Sequence, residues 1–463
     1  METYEQFLRR KSEVAIPTGL DVIPELSSAL FQFQKDIVTW ALRRGRAALF
    51  AGTGLGKSLM ELSWADAVHR ETGRDVLLLT PLAVAQQMIR EAGKFGITAK
   101  HCKTQSDVTS GIAVTNYQKL DHFDIAHFGG VVLDESSILK SLDGKTRTSL
   151  IDGFKMTPFR LAATATPAPN DYMELGNHAE FLGIMSYTDM LSTFFTHDGS
   201  STQNWRLKGW AESKFWEWMA SWSVMLRHPR DLGYDDSRYD LPPLKRHTHT
   251  VDIEYKPAGG FLFPMEAQTM AERLAARRDT ISERVEAAAF LVNSNNRPWV
   301  CWCNLNDESS ALAAAIPDAV EVRGSDSEDR KEQCLEDFAA GKIRVLVTKP
   351  SIAGFGMNWQ HCADTVFVGL NDSFEQIYQA IRRFWRFGQT KSVNAHFVAS
   401  EIEGAVVSNI QRKEAQAEHM AEQMVAHTKN LSAANIRGAI RDTASYNAIH
   451  QMIIPNWVRG DTA

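Results

Sequence analysis

The chain is poor in cysteine. Five residues in 463, Cys102, Cys301, Cys303, Cys334 and Cys362, are an odd number with no pair of Cys-x-x-Cys knuckles, which argues against both a disulfide framework and a zinc site. Reduced, buried thiols are expected. Long apolar runs are also missing: stretches such as Val76–Leu79 and Val345–Val347 fall far short of the roughly 18 residues that cross a bilayer. Met1 to Lys11 is too charged for a signal peptide. The expectation is a soluble, cytoplasmic protein with no membrane partner. A basic excess is absent as well, since 50 Lys plus Arg stand against 56 Asp plus Glu for a net charge of −6. Nucleic-acid binders usually carry such an excess, so any contact of that kind must come from a local patch, or from backbone amides and helix N-termini. No tandem repeat or low-complexity tract is visible.

What is present is an ordinary globular composition, 44% apolar and 23% charged, in a length that suits two to four domains. Short apolar runs at Ala47–Phe50, Val76–Thr80, Ile112–Thr115, Val131–Leu133 and Leu161–Thr164 read as buried strands. Lys57–His69 and Leu82–Lys94 read as helices between them, the rhythm of a parallel sheet covered on both faces. A second such rhythm has strands at Val300–Cys303, Val345–Thr348, Thr365–Gly369 and His396–Val398. The fold class is therefore α/β, with two parallel-sheet domains at 30–169 and 298–425. An N-terminal segment (1–29) precedes them, and a mainly helical insertion (170–245) with Trp205, Trp210, Trp216, Trp218 and Trp222 lies between. A linker and long helix (246–297) and a C-terminal tail (426–463) complete the division. In the insertion, Arg206, Lys208, Lys214, Arg227 and Arg230 accompany the tryptophans. Such a mixture can stack on bases and hold phosphates, but the favoured reading is a small helical core.

Two motifs carry chemistry on their own. Ala51-Gly52-Thr53-Gly54-Leu55-Gly56-Lys57-Ser58 follows a strand and opens a helix, as a phosphate-binding loop must. Gly52, Gly54 and Gly56 let backbone N–H groups, Thr53 included, surround phosphates; Lys57 reaches the outer phosphates and Ser58 holds Mg²⁺. Ala51 replaces the first glycine of the general pattern. Val131-Val132-Leu133-Asp134-Glu135 is an apolar strand ending in two acids, placed where parallel sheets keep their ligands. Asp134 is the expected Mg²⁺ partner through water, and Glu135 the group that orients or deprotonates the attacking water.

Around these, the sequence resembles the superfamily two helicases and translocases, Swi/Snf-type branch, over roughly 28–170 and 298–400. Leu30-Phe31-Gln32-Phe33-Gln34 looks like the adenine-reading segment, Leu79-Thr80-Pro81 is similar to a motif facing the nucleic-acid track, and Thr164-Ala165-Thr166-Pro167 resembles the segment coupling hydrolysis to domain movement. Ser351-Ile352-Ala353-Gly354-Phe355-Gly356-Met357-Asn358 and Gln379-Ala380-Ile381-Arg382-Arg383-Phe384-Trp385-Arg386-Phe387-Gly388-Gln389 are similar to motifs five and six. The resemblance implies two RecA-like domains with ATP and Mg²⁺ between them. Gln34, Gly356 and Asn358 would lie on the nucleotide and Thr164, Thr166 and Gln379 would couple, while Arg383 and Arg386, three apart on one helix face, would reach across to the γ-phosphate. Two departures stand out: Ser136-Ser137 replace the usual Ala-His or Gly-His after the acids, and Trp385 takes the place of a histidine. Double-stranded DNA is the implied track and translocation the implied output. A strand-separating DNA or RNA helicase, a motor subunit whose protein partner supplies a nuclease or replication function, and an ATP-gated scaffold remain alternatives. Oligomeric state is not legible.

Overall fold

A strand such as Val76–Leu79 has no polar face, so it is stable only where both sides are covered. The computed structural model describes residues 15–436 apart from 16, 82–83, 141–143, 169–170, 198–204, 237–238, 252–277, 354–357, 370–373 and 401–403. Its first sheet is built from β1 (Arg46–Ala51), β2 (Val76–Thr80), β3 (Ala99–His101), β4 (Ile112–Asn116), β5 (Gly130–Asp134), β6 (Phe159–Thr164) and β9 (Ser223–Leu226). All pairings are parallel, in the order β3-β4-β2-β5-β6-β1-β9. Along β2, Leu77 and Leu79 join one core and Val76 and Leu78 the other, so two separate cores sandwich the sheet. Because β6 lies between β1 and β5, the loops leaving all three strands share one edge. Asp134 is level with Ala163, and Thr164 with Phe50.

The second sheet contains β10 (Leu244–Val251), β11 (Trp299–Trp302), β12 (Ala319–Glu321), β13 (Val345–Thr348), β14 (Asp364–Phe367) and β15 (Val393–Ser400). It too is wholly parallel, in the order β10-β15-β14-β11-β13-β12. One end of it is pinned by a fully buried ion pair, Arg284 to Glu308 at 2.7 Å. Arg284 also donates to the Val368 carbonyl, while Glu308 accepts the backbone N–H groups of Asn304 and Leu305.

The Trp-rich segment packs against the first sheet rather than standing apart. It is mainly helical, with helices Leu175–Leu182, Tyr187–Phe194 and Glu212–Trp222 and a short antiparallel pair, β7 (Phe195–His197) and β8 (Trp205–Leu207). Its last strand, β9, extends the sheet beside β1, and Trp216, Trp218 and Trp222 share a core with Phe50 and Leu79. Trp210 is 75% exposed, with the Lys208 ammonium 5.5 Å from its ring centre. The linker after Pro243 becomes β10 of the second sheet. The expected boundary at 425/426 falls inside one helix, Gly404–Ile436. Its Ala417 packs on the second domain, whereas Met420, Met424 and Val425 enter the Trp-rich core of the first. Of the long helix expected within 246–297, the described residues include the helix Ile281–Asn293. No described helix is long and apolar enough to cross a membrane.

Candidate functional site

The phosphate loop follows from the strand before it. β1 ends at Ala51, whose carbonyl accepts Lys57 Nζ at 3.0 Å, and Gly52 N–H donates to Leu226 O of β9 at 2.9 Å. Positive φ is confined here to Gly54 (91°) and Gly56 (77°), so alanine at 51 meets no backbone strain. Gly56 and Lys57 begin the helix Lys57–Thr72, and Thr53 and Ser58 take their expected places in the loop and at the helix start. Gln34 lies behind the loop. Its side chain is 3% exposed; Oε1 accepts Phe31 N–H at 2.9 Å and Nε2 donates to Leu55 O at 2.8 Å. A Cβ at Gly56 would sit 2.3 Å from Gln34 Nε2. Gln34 thus props the loop from behind, its amide engaged by the Phe31 and Leu55 backbone.

Asp134 and Glu135 leave β5 at the same edge. Burial, together with the neighbouring Glu135, pushes Asp134 up to about 7. Glu135 has φ 54°, a left-handed backbone uncommon outside glycine, and Thr164 donates to its Oε2 at 3.3 Å. Thr166 N–H donates in turn to Thr164 Oγ1 at 3.2 Å, so the segment after β6 is tied to the acid through two hydrogen bonds. A third carboxylate, Glu61, lies fully buried one turn beyond Lys57, and burial followed by Asp134 raises it well above the usual range. Sequence reasoning missed it; the available signal was an acid on the otherwise apolar Leu59–Leu62 face. Among the described residues no three acids, histidines or cysteines are grouped to hold a metal ion by themselves; a Mg²⁺ carried on a nucleotide's phosphates needs only one or two protein oxygens, for which the Ser58 hydroxyl and the Asp134 carboxylate are suited.

The second domain brings its arginines to this edge. They do not share a helix face: the helix Phe374–Ile381 ends before them, and Arg383 and Arg386 sit in the turns that follow. Arg383 donates from Nε to Gln379 O at 3.1 Å and from Nη2 to Gln379 Oε1 at 3.2 Å. Burial and Arg386 lower Arg383 to about 10, against the pull of Glu135 and Asp134. Arg386 is lowered by burial and feels both Glu91 and Glu135. The cations therefore stand within electrostatic reach of acids on the other sheet. Contact is direct at Gly54, where a Cβ would come within 2.9 Å of Phe387 N. Thr166 Oγ1, Asn358 Oδ1, Gln379 Nε2 and Arg386 Nε are all buried without a hydrogen-bond partner, as expected of groups arranged for a polar ligand. Gly356 lies outside the described residues.

Both departures from the family pattern have local explanations. Ser136 Oγ hydrogen-bonds His178 Nε2 at 3.1 Å, so an imidazole does approach the acids, supplied by the helix Leu175–Leu182. Burial lowers His178 to about 4. Trp385 donates from Nε1 to Pro242 O at 2.6 Å, and the Arg382 guanidinium lies 4.4 Å from its ring centre. The indole thereby anchors the linker to motif six.

Residues 284–388, which include β11, β13, β14 and both arginines, match the helicase conserved C-terminal domain. The chain is 23% identical over 430 residues to the DNA annealing helicase and endonuclease ZRANB3 of Mus musculus, an alignment covering 82% of this chain and 40% of that protein. It thus spans less than half the mouse protein's length. It is also 24% identical over 427 residues to Putative protein p41 of Acyrthosiphon pisum secondary endosymbiont phage 1, covering 78% of this chain and 89% of that one. Two parallel-sheet domains, the domain match and the likeness to these relatives support a superfamily two helicase of the Swi/Snf type.

Proposed function

We propose that the chain is an ATP-driven motor that moves along double-stranded DNA without extensive strand separation. The observation that carries this reading is the shared electrostatic neighbourhood of Asp134 and Glu135 on one sheet and Arg383 on the other. A pocket assembled from both domains is complete only while they are together, so fuel use and domain movement are linked by construction.

Backbone N–H groups from Gly52 to Gly56 and the Lys57 ammonium hold the β and γ phosphates, with Ser58 and Asp134 as the residues for Mg²⁺. When bound, that ion offsets charge on the phosphoryl oxygens. Glu135 orients the attacking water and takes its proton, held in place by Thr164. Arg383 and Arg386 neutralise the charge that develops on the transferred group, which planar guanidiniums do well. Loss of the γ-phosphate removes what the arginines grip, and the cleft reopens.

On the far side of Glu135 runs a second cleft of about 660 Å³. Pro81, Arg90, Lys103, Lys119 and Lys140 line it from the first domain, and Lys331 and Ser351 from the second. Cations and acids are mixed in its lining: Arg90 pairs with Glu336, and Glu328, Asp329 and Glu332 stand on the second-domain side, so the proposed phosphate contacts fall to Lys103 and Lys119 of the first domain. The name of the mouse relative supports DNA as the track. The test is ATP turnover without nucleic acid and with duplex DNA, single-stranded DNA or RNA, run beside displacement of a triplex-forming strand. Stimulation by duplex with triplex displacement and no unwinding is expected; a preference for RNA would defeat the proposal.

A further inference from the structure

Glu61 belongs to none of the motifs that define the site, yet it is built into it. It lies in the helix Lys57–Thr72 between Met60 and Leu62, fully buried, and neither carboxylate oxygen has a hydrogen-bond partner. The charges it feels are Asp134, Lys57, Glu135 and Glu91, and the Lys57 ammonium is engaged with the Ala51 carbonyl. An unpaired buried carboxylate opposes folding, and an apolar side chain of similar volume would suit the same space better. Such a residue is explained by a ligand that supplies the missing positive charge.

We propose that Glu61 is a third carboxylate of the magnesium–nucleotide site, a positioning residue that acts through Asp134 to hold the hydrated cation. The inference rests on the nucleotide-site reading above and adds a residue to it. It also reverses the usual expectation for a buried residue: removing the acid should leave the ligand-free fold as stable or more so, while weakening the metal.

The experiment uses the full chain, unaltered and as Glu61→Gln and Glu61→Met. A fluorescent ATP analogue is titrated in excess MgCl₂ and in EDTA, and thermal midpoints are recorded without metal or nucleotide. In EDTA all three proteins should bind within about twofold of one another, whereas magnesium-dependent tightening should fall by about tenfold or more in both variants. Their metal-free midpoints should be unchanged or raised. Tightening that survives intact in both variants overturns the proposal. So does a loss of fold or a lowered midpoint in both, which would make Glu61 a structural residue. If the unaltered protein binds no nucleotide, the nucleotide site itself fails, an outcome distinct from variants that match a binding parent.

Discussion

Arg386→Ala separates transition-state stabilisation from binding. Arg386 Nε is buried without a partner, so truncation there breaks no hydrogen bond of that atom in the ligand-free protein. Gln379 stays tied to Arg383, at 3.1 and 3.2 Å, and keeps the turn in place. The thermal midpoint should therefore move by no more than about 2 °C, the shift that about 0.5–1 kcal/mol gives in a chain of this size. The catalytic effect is much larger. Guanidiniums that reach a phosphoryl group across an interface are worth about 10³–10⁵ in turnover, or about 4–7 kcal/mol of barrier. Ground-state affinity should change by less than about tenfold, because the loop, Lys57 and the acids remain. Single-turnover hydrolysis at saturating duplex DNA, beside equilibrium binding of a fluorescent ATP analogue, measures both quantities. Arg386→Lys restores charge without the planar fork and should recover only a minor part of the rate. Turnover within about tenfold of the parent, or an affinity loss large enough to account for the whole effect, would refute the role.

Two further predictions concern stability. Glu308→Ala leaves Arg284 buried and unpaired and strands the N–H groups of Asn304 and Leu305; it should cost about 3–5 kcal/mol, with much of that recovered in Arg284→Met/Glu308→Leu, measured by hydrogen exchange across β11, β13 and β14. His178 takes up a proton near pH 4 when folded, against an ordinary value of 6.5, so the unfolded chain binds more protons between the two. Stability should be full above pH 6.5 and fall by about 3 kcal/mol as pH drops to 4; His178→Asn should flatten that slope in urea titrations, and an unchanged slope would sink the assignment.

Much of the fold was legible because fully buried parallel strands leave unbroken apolar runs, as at Val76–Leu79 and Val345–Val347. Short edge strands leave no such trace. Ala99–His101 and Ala319–Glu321 are three residues each, and Leu244–Val251 reads as Lys-Arg followed by alternating histidine and threonine, a polar run on a strand none of which is fully buried. Ser223–Leu226 was obscured by the tryptophans before it, which looked like the core of an independent insert although Trp222 lies 6.1 Å from Phe50 of β1, centre to centre. At the site, contiguous motifs located the loop, the acids and the arginines. What sequence could not supply was geometry between motifs: that Gln34 turns to the backbone, that the arginines follow a helix end, and that an imidazole reaches Ser136 from 42 positions away.

The helix Gly404–Ile436 bears on how a composite site can stay assembled. Glu414 pairs with Arg246 of β10, and about two turns later Glu422 pairs with Arg227, the residue after β9, at 3.1 Å. His427 stacks on Trp216, with centres 5.2 Å apart and planes 4° from parallel. One rigid element is thus fastened to both domains, and Met420 and Met424 line the cavity of about 420 Å³ that also holds Gly52–Leu55, Arg382 and Phe387. Both attachments combine an ion pair with apolar packing, Ala417 on the second domain against Met420, Met424 and Val425 on the first, so they differ in amount. The first-domain contact buries methionine and aromatic surface, whose stabilisation scales with area, while the Glu414–Arg246 pair belongs to a class worth about 1 kcal/mol or less where solvent reaches it. On the proposed function, a cleft that opens on hydrolysis should separate at the weaker, second-domain end and carry the helix with the first domain, so that Arg383 and Arg386 withdraw from the phosphate loop.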